Sequence, residues 1–159
     1  MSTDSKIRYF FILTAITLAA VSCNREKNDV IPDVTVDFTL DMLDFQNIYG
    51  IIGSDTVDAH DMRVDRGRTY AGGFDGNGII IYYTGDGYYA FDRTCPHDYK
   101  VNNISVKVNV DFTIAFCPRC STTYSLAGGG LPLPIGPGRY SLKPYKTSLS
   151  NRFLNVWNY

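Results

Sequence analysis

The sequence predicts an all-β fold, and three stretches carry that reading. "VTVDFTL", Val34 to Leu40, alternates apolar and polar residues as a half-buried strand does. "GIIIYYTGDGYYAFD", Gly78 to Asp92, sets two β-branched and aromatic runs on either side of "TGDG", a strong hairpin signal. "GGGLPLPIGPG", Gly128 to Gly138, collects glycine and proline where a long helix is excluded.

The remaining elements follow in order. "DMLDFQNIYGIIG", Asp41 to Gly53, reads as a short helix or irregular chain, and "GRTYAGGFDGNG", Gly67 to Gly78, as turn-rich. "ISVKVNVDFTIAFC", Ile104 to Cys117, predicts a second pair of strands with its turn near Asn109 to Asp111. "SLKPYKTSL" and "RFLNVWNY" predict a closing pair with Ser150 and Asn151 at the turn. There is no internal repeat. A core of this size buries roughly two thirds of the unfolded chain's surface, so folding needs no disulfide.

The chain start has the layout of an export signal. Lys6 and Arg8 precede the apolar run "YFFILTAITLAAVS", which ends in small residues before Cys23 and is short for a membrane span. "AAVSC" resembles a bacterial lipobox, which implies cleavage before Cys23 and acylation of its thiol. Residues 1–22 are thus expected to be a lipoprotein signal peptide. The polar stretch 23–33, "CNREKNDVIPD", is expected to be a flexible tether, and 34–159 the folded domain. The expected location is the bacterial cell envelope, lipid-anchored on the periplasmic or surface face.

Charge narrows the partners. The chain has 15 basic and 16 acidic side chains, and removing residues 1–22 takes only Lys6, Arg8 and Asp4 from them. A near-neutral domain with no clustered basic face does not suit nucleic acid.

Cysteine use points to a metal. Of the 4 cysteines, Cys23 is assigned to lipid, which leaves Cys95, Cys117 and Cys120. An odd remainder argues against a plain disulfide framework. "TCPHDYK" holds C-x-H and "AFCPRCSTTY" holds C-x-x-C, two short chelating segments after strands. Together they can offer four ligands, Cys95, His97, Cys117 and Cys120. His60, between Asp58 and Asp61, is read as solvated and given no role.

Those segments resemble the two cluster loops of the Rieske iron-sulfur proteins, which read C-x-H and C-x-x-H. "YYAFDRTCPHD" looks like the strand entering the first loop and "FCPRCSTTYSL" like the second loop between its strands. "GPGRYSLKPY" looks like the loop covering the cluster and the strand after it. The resemblance implies a Rieske-like antiparallel β-sandwich with a small inserted metal-binding subdomain, about 94–126. It also implies a [2Fe-2S] cluster with Cys95 and Cys117 on one iron and His97 on the other. Position 120 would be histidine in the family and is cysteine here. Thiolate is still a good iron ligand, and exchanging imidazole for an anion places the potential between Rieske and all-cysteine centres. Thr122 and Tyr124 stand where family members donate hydrogen bonds to cluster sulfurs, and Gly136, Pro137 and Gly138 fall in the covering loop.

The expected function is one-electron transfer with an unknown membrane-bound redox partner, as a carrier or accessory protein without catalytic residues of its own. Oxygenases of this family carry their substrate chemistry in a further domain, for which this chain has no room. Two alternatives stay open: structural zinc in a Cys₃His site, or no metal with two of the three thiols in a disulfide. A thioredoxin-like role for "CPRC" ranks last, because "STTYSLAGGG" supplies no helix N-terminus to lower a thiol pKa.

Expression in an exporting bacterial host is predicted to give a product whose mass shows cleavage before Cys23 and added acyl chains. Cys23→Ala should leave the protein uncleaved or in the soluble fraction, and a soluble wild-type product of unmodified mass would refute the anchor.

Overall fold

The computed structural model describes residues 30–42, 53–60 and 70–159. The expected signal peptide, Cys23 and most of the tether lie outside the described residues, as does nearly all of the stretch from Asp41 to Gly53. No described helix is long and apolar enough to cross a membrane.

The fold is all-β, with every strand pairing antiparallel. Among the described residues ten strands run in chain order: β1 (Asp37–Asp41), β2 (Gly53–Val57), β3 (Ile79–Tyr83), β4 (Tyr88–Asp92), β5 (Asn109–Asp111), β6 (Ile114–Phe116), β7 (Thr123–Ser125), β8 (Leu131–Pro132), β9 (Pro144–Ser150) and β10 (Phe153–Trp157). A short helix, α1 (Pro96–Asn102), lies between β4 and β5. A six-stranded sheet has the order β1-β10-β9-β4-β3-β2, and a four-stranded sheet the order β5-β6-β7-β8. The smaller sheet is an insertion: β4 and β9 are neighbours in the large sheet, and everything from Arg93 to Lys143 leaves and returns between them.

Side-chain alternation along β3 explains how one strand serves two cores. Ile79 and Ile81 join the large core with Phe38, Leu40, Val57, Ala90, Leu154 and Val156. Ile80 and Tyr82 point the other way and join Phe91, Cys95, Cys117, Tyr124 and Leu142 in a second core under the small sheet. A strand buried on both faces needs an unbroken apolar run, and "IIIYY" is one. Residues of β1 and β2, at opposite edges of the large sheet, meet in the same core, so the sheet curls around it.

The expected pairings appear with shifted boundaries. The β3–β4 turn falls at "TGDG", closed by the Thr84 amide on the Gly87 carbonyl at 3.0 Å. Asn109 to Asp111 is a strand, and the turn after it is Phe112 and Thr113, with Phe112 at φ 51°. The β9–β10 turn centres on Asn151 and Arg152. Ordered packing reaches further towards the start than Val34: Ile31 is buried, and the Lys143 ammonium donates to the Ile31 carbonyl at 2.7 Å and pairs with Asp33 at 2.6 Å.

A buried carboxylate joins the two layers. Asp92 ends β4 with no exposed surface. Its Oδ2 accepts the Phe74 amide at 2.6 Å and the Tyr145 hydroxyl at 2.7 Å, and its Oδ1 accepts the Thr94 amide at 2.8 Å. Burial and the neighbouring Asp92 charge push the Tyr145 phenol well above its ordinary range. A group with a raised folded-state pKa stabilises fully below its unfolded value, about pH 10, and that contribution is lost as pH rises towards the folded value.

Tyr145→Phe leaves Asp92 one donor short and should cost about 1.5–3 kcal/mol. It is read as a lower denaturant midpoint at neutral pH, with the difference from wild type shrinking above about pH 10. An unchanged midpoint would show that the Tyr145 bond contributes nothing to stability.

Candidate metal centre

Each chelating segment is shaped by its own chain. The first begins at Thr94, whose amide is held by Asp92 and whose backbone bridges Lys107, so residues 94–107 form a closed loop. Asn77 donates to the hydroxyls of Thr94 at 2.9 Å and Ser105 at 2.7 Å, tying both ends of that loop to one turn. Inside it the chain is helical and not an open loop. Cys95 is the N-cap of α1, Pro96 opens the helix, Asp98 lies in the first turn, and Asn103 closes it with φ 53°. Proline at the first position, an acid in the first turn and a left-handed asparagine after the last are the ordinary helix start and stop signals.

The second segment is the tight turn between β6 and β7. The Cys117 amide donates to the Thr122 carbonyl at 2.9 Å and the Ser121 amide to the Cys117 carbonyl at 3.0 Å, with Ser121 at φ 60°. This brings Cys120 back beside Cys117, and the backbone of Cys120 and Arg119 favours the Cys117 thiolate.

The two segments meet. Donor atoms of Cys95, Asp98, Cys117 and Cys120 all lie within 4.8 Å of one another. The Cys95 and Cys120 sulfurs are 3.7 Å apart, and the Cys117 thiol donates to Asp98 Oδ2 at 3.0 Å. All three cysteines are free thiols, with Cys95 and Cys117 buried and Cys120 half-buried. His97, expected as a ligand, is not in this group; it is half-buried on α1, and the fourth member is Asp98. A helix explains the exchange. Each residue turns about 100° around the axis, so positions three apart share a face and positions two apart do not. His60 is fully solvated, its Nδ1 3.9 Å from Asp58.

Polar neighbours surround the thiols. The Tyr124 hydroxyl is 3.3 Å from the Cys95 sulfur, and the Cys120 thiol donates to Thr122 Oγ1 at 3.1 Å. Burial first, and then Cys95, push the Tyr124 phenol far up, so it keeps its proton and can donate it to a Cys95 thiolate. The hydrogen bond from Cys117 holds the Cys95 thiol below its ordinary value against the effect of burial. Cys117 moves strongly upward, through its bond to Cys95 and through burial, and burial also raises Cys120. Burial alone would raise Asp98, but donors from Cys117, Cys120, Asn102 and Cys95 outweigh it and hold the carboxyl below its usual range. Arg119 Nε stands 3.3 Å from Asp98 Oδ1.

The glycine and proline stretch lies on the second segment. The Gly138 amide donates to Thr122 Oγ1 at 2.9 Å, and the Thr123 amide to the Ile135 carbonyl at 3.1 Å. Approach is close enough to require glycine: a Cβ on Gly136, at φ 83°, would lie 2.5 Å from the Thr122 nitrogen, and one on Gly138 would overlap the Thr122 side chain. Pro137 between them is exposed.

Three thiols and a carboxylate are strong ligands for iron or zinc once deprotonated. A single metal with bonds of about 2.3 Å to sulfur sets its tetrahedral ligand atoms about 3.8 Å apart. The Cys95 to Cys120 separation of 3.7 Å suits that. Two irons bridged by sulfides hold their ligands as two pairs set further apart than this group is, so the [2Fe-2S] cluster fits the donor chemistry but not the donor spacing.

Gly138→Ala must push the covering loop off Thr122, at a cost of about 1–3 kcal/mol. With metal removed and thiols reduced, Cys120 should then alkylate several times faster than in wild type. Gly87→Ala, where nothing lies within 4 Å of the added carbon, is the control. Equal alkylation rates would show that the loop does not shield the thiol.

No protein-family model matches the chain, and no curated protein matches it. Among solved structures, a chain of the complex of reduced oxygenase and oxidised ferredoxin in carbazole 1,9a-dioxygenase is similar at 15% identity, TM-score 0.45, over 78% of this chain and 93% of that one. The ferredoxin of carbazole 1,9a-dioxygenase from Nocardioides aromaticivorans IC177 is similar at 17% identity, TM-score 0.45, over 80% and 100%. The apo form of a quaternary ammonium Rieske monooxygenase, CntA, is similar at 15% identity and TM-score 0.45, over 82% of this chain and 34% of that chain. Likenesses of this degree say nothing about which metal the centre takes.

Proposed function

We propose that the protein is a Rieske-like metalloprotein, tethered to the bacterial envelope by a lipid on Cys23, that passes single electrons through iron held by its thiols. The observation that carries this reading is the convergence of Cys95, on one loop, with Cys117 and Cys120, on another, beside a buried Asp98. The inserted four-stranded sheet, the paired cysteine segments and the loop from Gly136 to Gly138 beside them support this reading.

Iron at this centre would supply a one-electron couple, and the chain's own groups would tune it. Hydrogen bonds to ligand sulfurs favour the reduced state. The Tyr124 hydroxyl is positioned to give one to Cys95. Cys120 is the least buried of the three, which places the outward side of the centre at the second segment. Phe116 and Ile135 are exposed on the same subdomain and suit contact with a partner protein that delivers or removes the electron.

Zinc is the second reading, favoured by the compactness of the four donors. It would make the centre a structural clasp between the two segments, and the protein a binding or accessory component.

Metal analysis of the exported protein, purified without oxygen, separates the two. Bound iron with visible absorption that bleaches on chemical reduction and returns on reoxidation is the expected result. Zinc in its place, with no absorption change, would overturn electron transfer.

A further inference from the structure

We infer that this centre is built for one tetrahedral ion, with Asp98 in place of His97 as the fourth ligand. The inference rests on the metal-binding part of the proposed function and is independent of electron transfer.

Three features of Asp98 carry it. Its carboxylate is only 1% exposed although it lies in the first turn of a short surface helix, where an acid serving only the helix end would face water. Burying a carboxylate costs several kcal/mol unless it is paired and bonded. Its two oxygens are used differently. Oδ1 is fixed from outside by the Asn102 amide at 3.0 Å and by Arg119 at 3.3 Å. Oδ2 faces inward to the Cys117 sulfur at 3.0 Å. One oxygen oriented by surrounding donors and the other aimed at the thiols is how a ligating carboxylate is held.

Spacing and charge agree. All four donor atoms lie within 4.8 Å of one another, so shifts of about 1 Å close them to the roughly 3.8 Å spacing of a tetrahedral shell. Three thiolates and a carboxylate around a divalent ion leave two excess negative charges, and Arg119 is placed to offset one of them. The helix also decides between neighbouring residues: Cys95 at the N-cap and Asp98 three positions on share its inner face, which His97 does not.

The ordinary alternative is that Asp98 only accepts hydrogen bonds from protonated thiols. Cobalt(II) and zinc(II) titrations of the full exported protein, in detergent, reduced and freed of metal, distinguish the two. The expected result is one equivalent bound, with sulfur-to-cobalt charge-transfer bands and the intense visible bands of tetrahedral cobalt. Asp98→Asn should weaken binding more than tenfold, while His97→Asn leaves it unchanged. Asp98→Cys guards against a variant that simply misfolds: it should restore one-equivalent binding with stronger charge-transfer bands, as a fourth thiolate joins.

Loss of binding in His97→Asn with Asp98→Asn unaffected would overturn the ligand assignment. About two irons and two sulfides per chain in the protein as purified would overturn the single ion while leaving electron transfer standing. One zinc per chain would do the reverse. No metal uptake at all would overturn both.

Discussion

Burying Asp92 is the constraint on which the rest of the molecule turns. A carboxylate with no exposed surface must find donors, and it takes them from the turn at Phe74, from Thr94 at the head of the first chelating loop, and from Tyr145 on β9. Those three points are the large sheet's flank, the beginning of the insertion, and the strand that follows it. Satisfying one side chain therefore fixes how residues 93–143 leave the sheet and where β9 pairs when they return. Asn77 extends the same logic by holding both ends of the first loop.

Given that junction, the cysteine-rich site belongs to the second core. Cys95 and Cys117 pack with Ile80, Tyr82, Phe91 and Leu142, so the thiols sit on the reverse side of the strand that builds the large core. The same alternation that makes β3 apolar throughout gives the site a rigid floor. Its roof is the stretch around Gly136 and Gly138, which can lie against Thr122 because it carries no Cβ. Floor and roof leave Cys120 the most accessible of the three sulfurs, and they orient the hydroxyls of Thr122 and Tyr124 towards sulfur.

Helix α1 changes the chemistry. In an extended loop, C-x-H would bring Cys95 and His97 towards a common point. Winding the segment into α1 rotates His97 away and presents Asp98, which makes an anionic donor set from what reads in sequence as three thiols and an imidazole. Arg119 lies within "CPRC", so the segment that brings two thiols also brings the cation beside the new carboxylate. The two chelating segments are thus complementary to one another.

Local pattern determined much by itself: the all-β class from two-residue alternation, the hairpin at "TGDG", the closing strand pair, and the gathering of all three domain cysteines into two chelating segments. These are properties of short stretches, fixed by side-chain period and turn chemistry. Even α1 is legible, since Pro96, Asp98 and Asn103 are its start and stop signals, although histidine two residues from cysteine also has the spacing of a loop ligand. Tertiary structure alone decided which acids became buried. Asp92 and Asp98 look like any surface acid in sequence, and only the meeting of β4 with β9, and of α1 with the β6–β7 turn, supplies the donors that make burial tolerable. Burial depends on what packs across from a residue, and that partner lies 53 positions away for Asp92 and 19 for Asp98.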